Sequence, residues 1–311
     1  MATSNPRIRP YGTAAIAEAA ALIRAGGIVA VPTETVYGLA ADAGDSAAVA
    51  RIYAAKGRPS FNPLIVHVTD AAMAGQLAVF DDDAHALAAA FWPGPLTLVL
   101  PLRPGAPIAS LVTAGLDTVA IRVPTHRAMQ ALIAAAGRPL AAPSANRSNG
   151  LSPTEAAHVF ASLGEAVPLV IDDGACAAGV ESTIVAGRDV LRPGPITAEE
   201  IARVLPGGGA TLTSAGRITA PGQLPTHYAP AKPLRLNATE ALPGEWLIGF
   251  GAIAGDDTLS ATGDPVEAAG RLFAALHRAD EGSAERIAVA PIPPAGIGAA
   301  INDRLSRAAH R

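Results

Sequence analysis

The chain alternates short apolar segments with alanine-rich segments over its first two-thirds, and this alternation limits the fold more than any other feature. The apolar segments have the length and the branched side chains of buried strands, whereas the alanine-rich segments have the length of helices. Strands and helices that alternate in this way are typical of an α/β domain. We predict strands at 28–31, 64–68, 96–102, 119–123, 140–142, 169–171, 182–185 and 190–192, a loop at 32–38, and helices at 14–25, 46–55, 127–136, from 152 and from 197.

The composition changes in residues 206–233, which contain five prolines, a run of glycines and almost no apolar periodicity. This is typical of a linker. Beyond it, strand-like segments again alternate with helix-like ones. The prediction is therefore an N-terminal domain at 1–206, a linker at 207–233 and a small α/β domain at 234–311, with strands at 246–250 and 287–290 and helices at 265–279 and 297–309.

Charge and cysteine content narrow the class of protein. A net charge of -4 argues against a nonspecific nucleic-acid coat, which would be basic overall. The single cysteine, Cys176, excludes an intramolecular disulfide and is interpreted as a small buried apolar residue. Residues 1–10 lack the apolar core of a signal peptide, and no run of ~18 apolar residues occurs. We expect a cytoplasmic protein without a membrane association.

Familiar nucleotide-binding motifs are absent from the sequence. It contains neither a G-x-x-x-x-G-K-[ST] phosphate loop nor a G-x-G-x-x-G that opens a helix after a strand. Polar residues instead follow the ends of the predicted strands, where ligands collect in open α/β sheets. These strand ends read Thr33-Glu34-Thr35, His67, Arg122, Ser144-Ala145-Asn146 and Arg192.

The candidate cations each have a structural alternative. Lys56 and Arg58 lie one residue apart in a Gly/Pro turn, where they can bind different oxygens of a polyphosphate. They can equally complement the C-terminus of the preceding helix. Arg122 lies inside an apolar strand, so its charge must be paired or must face a polar cavity. A salt bridge and a carboxylate-binding role, which suits the planar guanidinium, both remain open.

The uncharged candidates are less distinctive. His67 can be a core residue or a ligand, and Ser144-Ala145-Asn146 can be a plain turn, as can Glu181-Ser182-Thr183. Ser152-Pro153-Thr154-Glu155 has the pattern of a capping box with proline in the first turn. Ser152 is therefore predicted to cap a helix, a role that is compatible with anion binding at the same helix terminus.

Taken together, these segments resemble the YrdC/Sua5 family of threonylcarbamoyl-adenylate synthases over residues 1 to about 205. The family's Lys-x-Arg and Ser-x-Asn pairs correspond to Lys56/Arg58 and Ser144/Asn146. Three further segments resemble the longer Sua5 branch of the family, namely Pro221-Gly222, 227–230 and, more weakly, 301–309. The matching segments are 27–40, 52–59, 62–67, 92–97, 119–124, 142–146, 181–184 and 192–194.

The resemblance implies a twisted mixed sheet with a large open cleft, followed by a small Rossmann-like α/β domain. It implies that L-threonine, bicarbonate and ATP are converted to threonylcarbamoyl-AMP, pyrophosphate and water, with Mg²⁺ accompanying ATP. The product would pass to the tRNA threonylcarbamoyl-transferase machinery for modification of adenosine 37. Direct binding of tRNA stays open.

The resemblance also implies roles for individual residues. Lys56 and Arg58 would be catalytic, with phosphate oxygens as their partners. Because the product would be a labile mixed anhydride, we further hypothesise that the linker covers the cleft and that Tyr228 reaches into it. Threonine would be held by Thr35, His67, Arg122, Ala142 and Ser182, and ATP by Arg58, Asn62, Thr118, Ser144, Asn146, Ser152, Arg192 and Tyr228.

Two other functions compete with this one. A double-stranded RNA-binding module without chemistry is disfavoured by the acidic pI of about 6.0 and by the presence of only two lysines. A related carbamoyl-transfer enzyme acting on another acceptor is disfavoured by the lack of zinc-finger and acylphosphatase-like segments. Pyrophosphate release that needs threonine, bicarbonate and ATP together would discriminate among the three.

Overall fold

The computed structural model describes residues 7–205, 211–212 and 227–310, and within them the first unit is a mixed sheet with helices. Its eleven strands have the order β1-β8-β2-β3-β7-β4-β6-β5-β9-β10-β11. The strands are β1 (Ile8–Pro10), β2 (Val29–Pro32), β3 (Tyr37–Asp42), β4 (Ile65–His67), β5 (Leu96–Pro101), β6 (Thr118–Arg122), β7 (Leu140–Ala141), β8 (Val170–Asp172), β9 (Thr183–Ala186), β10 (Asp189–Arg192) and β11 (Thr211–Leu212). The helices are α1 (Thr13–Arg24), α2 (Ser46–Lys56), α3 (Ala71–Leu77), α4 (Asp82–Phe91), α5 (Ser110–Thr113), α6 (Arg127–Ala136), α7 (Ala156–Leu163) and α8 (Ala198–Val204), with a 3-10 turn at Gly164–Ala166.

Parallel and antiparallel strand pairs both occur, which confirms the predicted mixed α/β sheet. Strand β4 runs parallel to β6, β6 runs antiparallel to β5, and β5 runs parallel to β9. Alternation along β2 sends Val29 and Val31 to a core under α1 and α6, and Ala30 to a larger core under α2, α4 and α7. Helices therefore cover both faces of the sheet in this region.

One face of the sheet carries a much smaller apolar cluster. Its buried members Ile65, Val99, Ala120 and Ile184 all lie on strands, namely β4, β5, β6 and β9. Because side chains two residues apart share a face, polar residues that follow these members along the strands lie on the same surface. This surface forms the floor of the candidate site.

Two local predictions are wrong. Tyr37 and Gly38, predicted as loop, belong to β3, which forms an antiparallel hairpin with β2. The hydroxyl of Thr33 closes the turn because it donates to the Val36 carbonyl and accepts from the Val36 amide. Ser152 caps no helix: α7 begins four residues later, with Glu155 as its N-terminal flanking residue.

Other terminal signals in the sequence are confirmed. Thr197 and Glu200 form a reciprocal capping box at the start of α8. Cys176 is buried, as expected. The periodicity did not predict α3, α4 or α5, which are short or rich in alanine and aspartate.

The C-terminal unit is a small parallel sheet with two helices. Its strands have the order β12-β15-β13-β14, and every pair is parallel. The side chain of Asp264 caps α9 and Pro265 opens it, as predicted. The elements are β12 (Leu234–Arg235), β13 (Glu245–Gly249), β14 (Asp257–Thr258), β15 (Arg286–Val289), α9 (Pro265–Glu281) and α10 (Gly298–Ala309).

The two units share an apolar interface. Val36, Leu151 and Val180 of the first unit belong to one cluster with Leu272 and Phe273 of α9. Between residues 7 and 310, outside the gaps at 206–210 and 213–226, no helix is long and apolar enough to cross a membrane.

Gly179 allows the two units to approach closely, and this contact can be tested. Its φ is +67°, and an added Cβ would lie 2.2 Å from the Ala269 carbonyl oxygen of α9. Gly137 has nearly the same φ, +68°, but faces open space. We expect Gly137→Ala to lower the free energy of unfolding by about 1–2 kcal/mol, the cost of a left-handed alanine. Gly179→Ala should lower it by roughly 1–3 kcal/mol more, because it also overpacks the interface. Equal losses in urea denaturation would contradict the close contact.

Candidate active site

A pocket lies over the floor formed by β4, β6 and β9. The register pairs Ile65 with Ala120 and His67 with Arg122, so the two polar side chains are neighbours at the same ends of parallel strands. Ser182 immediately precedes β9, and Arg192 ends β10 opposite Ile184. Because β4, β6 and β10 end at this edge of the sheet while β9 begins there, these residues lie together although they are distant in sequence. The carboxyl-end rule therefore accounts for His67, Arg122 and Arg192, but not for Ser182.

The pocket contains nine of the fourteen predicted site residues: Thr35, Arg58, His67, Arg122, Ala142, Ser144, Ser182, Arg192 and Tyr228. Seven further residues complete its walls. They are Thr33, Val36, Gly38, Ile65, Pro143, Glu181 and His227.

Arg122 is buried in the pocket wall, and each of its three guanidinium nitrogens has a contact with the protein. Its Nη2 forms an ion pair of 2.6 Å with Glu34, its Nη1 donates to the Thr35 hydroxyl at 2.8 Å, and its Nε donates to the Gly94 carbonyl. Burial raises the pKa of Glu34, but the adjacent Arg122 outweighs it and holds that pKa below its ordinary value. The salt bridge that the sequence left open is therefore present, and it orients the guanidinium at the pocket.

His67 is buried beside Arg122, and the environment keeps its imidazole neutral. Burial, reinforced by the nearby positive charge of Arg122, lowers the pKa of His67 to about 3. Its Nδ1 has no hydrogen-bond partner among the described residues. Buried polar atoms are normally paired, so this nitrogen is available to a ligand.

Two more guanidinium groups line the pocket. Arg58 donates to the carbonyls of Asn62 and Pro63, which fixes it against its own loop. Burial lowers the pKa of Arg58 to about 10, so it remains charged at neutral pH. Arg192 donates to the Ser182 carbonyl at 2.9 Å, and the Ser182 hydroxyl is held by Thr97 at 2.7 Å.

Positively charged side chains outnumber negatively charged ones in the pocket lining. Arg58, Arg122 and Arg192 line the pocket, whereas Glu181 is the one carboxylate among its described lining residues. Glu181 is itself engaged by Ser152 and Arg304. Such a concentration of buried guanidinium groups favours an anionic ligand.

Lys56 is not among the described residues that line the pocket, and its predicted contact with phosphate stays a prediction. Its ammonium is buried and donates to the carbonyls of Ser144 and Asn146. Burial, together with the neighbouring Arg58, lowers the pKa of Lys56 well below its ordinary value. In this structure the lysine therefore holds the segment that carries Ser144 in place.

Four other predicted ATP contacts also lie outside the pocket lining. The Ser152 hydroxyl donates to Glu181, and the Asn146 amide donates to the carbonyls of Arg147 and Gly150. Asn62 is buried, and its carbonyl accepts from Tyr53 and Arg58. Thr118 begins β6, four residues or about 13 Å of strand from Arg122. None of these four residues is among the described residues that line the pocket, and their contact with ATP stays a prediction.

His227 and Tyr228 close the pocket from above. Tyr228 is 1 % exposed, has a φ of +63°, and packs its ring 4.0 Å from that of His227. The Tyr228 hydroxyl has no partner among the described residues. About 50 Å³ of the pocket is unfilled, much less than the 300–1,000 Å³ of typical ligand sites. Tyr228 reaches into the cleft as expected, while most of the predicted linker, including Pro221-Gly222, lies outside the described residues.

Sequence reasoning named Glu181 and His227 as parts of motifs without giving them a place in the site. Glu181 precedes the predicted residue Ser182, and His227 precedes the predicted residue Tyr228. Their positions next to predicted site residues were the signal that could have identified them. Thr33, Gly38 and Pro143 enter the site through the hairpin of β2 and β3, in which Leu39 bonds the Pro143 carbonyl. The hairpin was not predicted, so these residues could not be assigned.

Comparisons with known proteins agree with this architecture. A family model described as "Telomere recombination" matches residues 21–194, and one described as "Threonylcarbamoyl-AMP synthase, C-terminal domain" matches 196–310. The chain is 41% identical to threonylcarbamoyl-AMP synthase of Bacillus subtilis, covering 94% of this chain and 92% of that protein. It is 39% identical to threonylcarbamoyl-AMP synthase of Pyrococcus abyssi, covering 93% and 92%. The crystal structure of P. abyssi Sua5 complexed with L-threonine superposes with a TM-score of 0.88 and 36% identity, over 97% of this chain and 96% of that one.

The fold and the site together define a two-domain α/β protein, in which a mixed-sheet domain carries three buried guanidinium groups in one pocket and is followed by a small parallel-sheet unit. Within that class, the chain belongs to the Sua5/YciO/YrdC family.

The neutral state of His67 has a measurable consequence for stability. The unfolded imidazole has a pKa of about 6.5, whereas the folded one has a pKa of about 3, so unfolding takes up a proton between these values. The contribution is complete above about pH 6.5 and is lost as the pH falls toward about 3. We expect His67→Gln to reduce the acid-side slope of the unfolding free energy by up to about 1.4 kcal/mol per pH unit. Parallel pH profiles for the two proteins in urea denaturation would contradict a buried neutral His67.

The position of Lys56 predicts a structural effect of its removal. In Lys56→Met the buried Asn146 carbonyl loses its ammonium donor, which should lower the free energy of unfolding by about 1–3 kcal/mol. Chemical denaturation measures this loss. If stability is unchanged and nucleotide binding is weakened, the result would instead support a direct contact between Lys56 and phosphate.

Proposed function

We propose that this chain is an L-threonylcarbamoyladenylate synthase, which forms threonylcarbamoyl-AMP and pyrophosphate from L-threonine, bicarbonate and ATP. The observation that carries this function is the convergence of Arg58, Arg122 and Arg192 on one buried pocket. The reaction must bring an anionic carbamate to an anionic triphosphate, and cations on both sides of a pocket permit that approach. The threonine complex of P. abyssi Sua5, a protein similar over almost the whole chain, supports the amino-acid half of the assignment.

Threonine is proposed to lie on the side of Arg122. The guanidinium binds the threonine carboxylate while Glu34 and Thr35 hold it in plane. His67 stays neutral and offers its Nδ1 to the amine or hydroxyl of threonine. The Ser182 hydroxyl and the backbone at Ala142 complete this side.

The triphosphate is proposed to lie between Arg58 and Arg192. Both guanidinium groups are fixed by backbone carbonyls, so they keep their geometry before the nucleotide arrives. Ser144 and Tyr228 line the same side. Lys56, Asn62, Asn146 and Ser152 support this wall from behind, and Thr118 lies at the far end of the floor.

The chemistry needs two bond-forming steps. Bicarbonate takes up a proton, and its C–O bond breaks to release water and CO2. The neutral amine of threonine attacks this CO2, forms a C–N bond and releases a proton, which balances the one taken up and leaves a carbamate. A carbamate oxygen then attacks the α-phosphorus of ATP, and the bond to the departing pyrophosphate breaks. We assign the residues to positioning and charge stabilisation, with no covalent enzyme intermediate. Because the product is a labile mixed anhydride, His227 and Tyr228 exclude water from above.

Magnesium is proposed to enter with ATP. Among residues 7–205, 211–212 and 227–310 no group of three or more His, Cys, Asp or Glu side chains could hold a metal. This suits Mg²⁺, which keeps several waters and binds through substrate phosphates with few protein ligands. The cation supplies charge neutralisation of the triphosphate.

The product is proposed to pass, in the cytoplasm, to the enzymes that modify position 37 of tRNA. A mixed anhydride made inside a closed pocket has to be released to an acceptor before water reaches it. Opening of the Tyr228 cover is the step that would permit this transfer.

The central experiment measures pyrophosphate release by the full chain. We expect release to require threonine, bicarbonate and MgATP together, with threonylcarbamoyl-AMP as the co-product by mass spectrometry. Release that ignores threonine would overturn the proposal. Binding of double-stranded RNA without any turnover would support the competing RNA-binding function.

Arg122 should determine the affinity for threonine. Removing it alone strands the buried Glu34 carboxylate, at a cost of about 3–5 kcal/mol, so Arg122→Ala is combined with Glu34→Gln. We expect the double variant to fold and to raise the threonine KM about 10- to 100-fold, the value of a charged hydrogen-bonded contact. The ATP KM should change little.

Arg127→Ala is the matched control, because Arg127 is largely exposed and pairs with Asp173 outside the pocket. Its kinetic constants should equal those of the wild type. An unaltered threonine KM in the folded double variant would remove Arg122 from the carboxylate site.

A further inference from the structure

Arg304 on α10 is a completely buried arginine that belongs to the C-terminal unit but contacts the walls of the pocket. It has 0 % exposure and ranks first among the fully buried side chains by size. Its Nε donates to the Glu181 carboxylate at 2.9 Å and its Nη1 donates to the Pro193 carbonyl at 2.7 Å. Its guanidinium carbon lies 5.4 Å from the centre of the Tyr228 ring, within reach of a cation–π contact.

These partners lie on the nucleotide side of the pocket. Glu181 lines the pocket and holds the Ser152 hydroxyl, and Pro193 directly follows Arg192. Tyr228 is the ring that closes the pocket. Among the described residues, Arg304 makes no hydrogen bond to Thr35, His67, Arg122 or Ser182, the residues assigned to the threonine side.

Stability alone does not explain a charge at this place. The two units already share an apolar interface formed by Val180, Tyr228 and Phe273. Replacement of buried ion pairs by apolar side chains is often neutral or stabilising, whereas a buried charge fixes the arrangement of the groups around it. Burial lowers the pKa of Arg304, but Tyr228, Glu181 and Asp303 outweigh it and raise the pKa above its ordinary value. The side chain is therefore charged whenever the two units are docked.

The planar fork of arginine matches this set of partners. Nε and Nη2 reach the carboxylate and the backbone carbonyl of Glu181, while Nη1 reaches Pro193 and the neighbouring Asp303. A lysine ammonium is a point charge and cannot bridge acceptors that lie in these three directions. The hydrogen bonds of Arg304 can therefore form only when Glu181, Pro193 and α10 are correctly placed relative to one another.

We propose that Arg304 is a positioning residue for the nucleotide side, which fixes Glu181, the Arg192–Pro193 segment and the Tyr228 ring in register with the docked C-terminal unit. This inference rests on the proposed function and extends it, because it gives the C-terminal unit a specific part in forming the site. Docking of that unit and closing of Tyr228 over the nucleotide are then one coupled event.

The test compares Arg304→Gln and Arg304→Lys with Arg307→Gln. Arg307 lies one turn further along α10 and is bonded to Asp303 near the surface. Calorimetry measures the Kd of a non-hydrolysable ATP analogue with Mg²⁺ and the Kd of threonine, and pyrophosphate release is measured in parallel. We expect both Arg304 variants to weaken binding of the analogue about tenfold or more, since small displacements of positioned groups are costly. Their threonine Kd should stay within about twofold of the wild-type value, and Arg307→Gln should match the wild type.

Two outcomes would overturn the inference. One is unchanged affinity for the analogue in a folded Arg304 variant. The other is an equal loss for threonine and the analogue together with a lower melting temperature, which indicates general destabilisation. If Arg304→Gln does not fold, Arg304→Lys decides, because it retains the charge and loses only the fork. If the wild-type protein binds both ligands but shows no threonine-dependent pyrophosphate release, the proposed function is refuted. The affinities for the ATP analogue would still test the positioning role of Arg304.

Discussion

Concentration of positive charge on an otherwise apolar sheet face is the constraint on which the rest of the structure depends. Arg58, Arg122 and Arg192 are all buried, and a buried guanidinium is tolerated only where acceptors surround it. The chain meets this requirement mainly with backbone carbonyls and with the Glu34 carboxylate. These contacts leave the cations rigid and their charge only partly neutralised, which is the condition a site for two mutually repelling substrates needs.

A second shell of contacts explains why the loops hold their shape without the substrates. Lys56 joins α2 to the Ser144–Asn146 segment, and Ser152 joins the following segment to Glu181. Arg304 then connects Glu181 to the C-terminal unit. A chain of polar contacts thus runs from α2 through the pocket wall to α10, so placement of the small unit and geometry of the nucleotide side are physically linked.

The closed state has a functional meaning within the proposed reaction. The unfilled volume of about 50 Å³ is too small for a nucleotide, and Tyr228 occupies the space above the floor. Under the proposed reaction, Tyr228 would have to move for ATP to enter, and its return would exclude water from the mixed anhydride. The φ of +63° at Tyr228 is a sparsely populated conformation for a bulky residue, consistent with a segment that the surrounding contacts hold in place.

Local patterns were enough to predict the α/β class, most element positions and the polar residues at strand ends, because periodicity and strand-end polarity are properties of short segments. His67 and Arg122 were identifiable for that reason, and the structure places them in register on adjacent strands. The β2–β3 hairpin and the true role of Ser152 depended on pairing with distant segments, which local patterns do not encode. The bonds of Lys56 to the Ser144 and Asn146 carbonyls could not be predicted from local patterns, nor could the contact of Arg304 with Glu181, over a hundred residues away. The burial and pairing of a charge depend on which groups the folded chain brings against it.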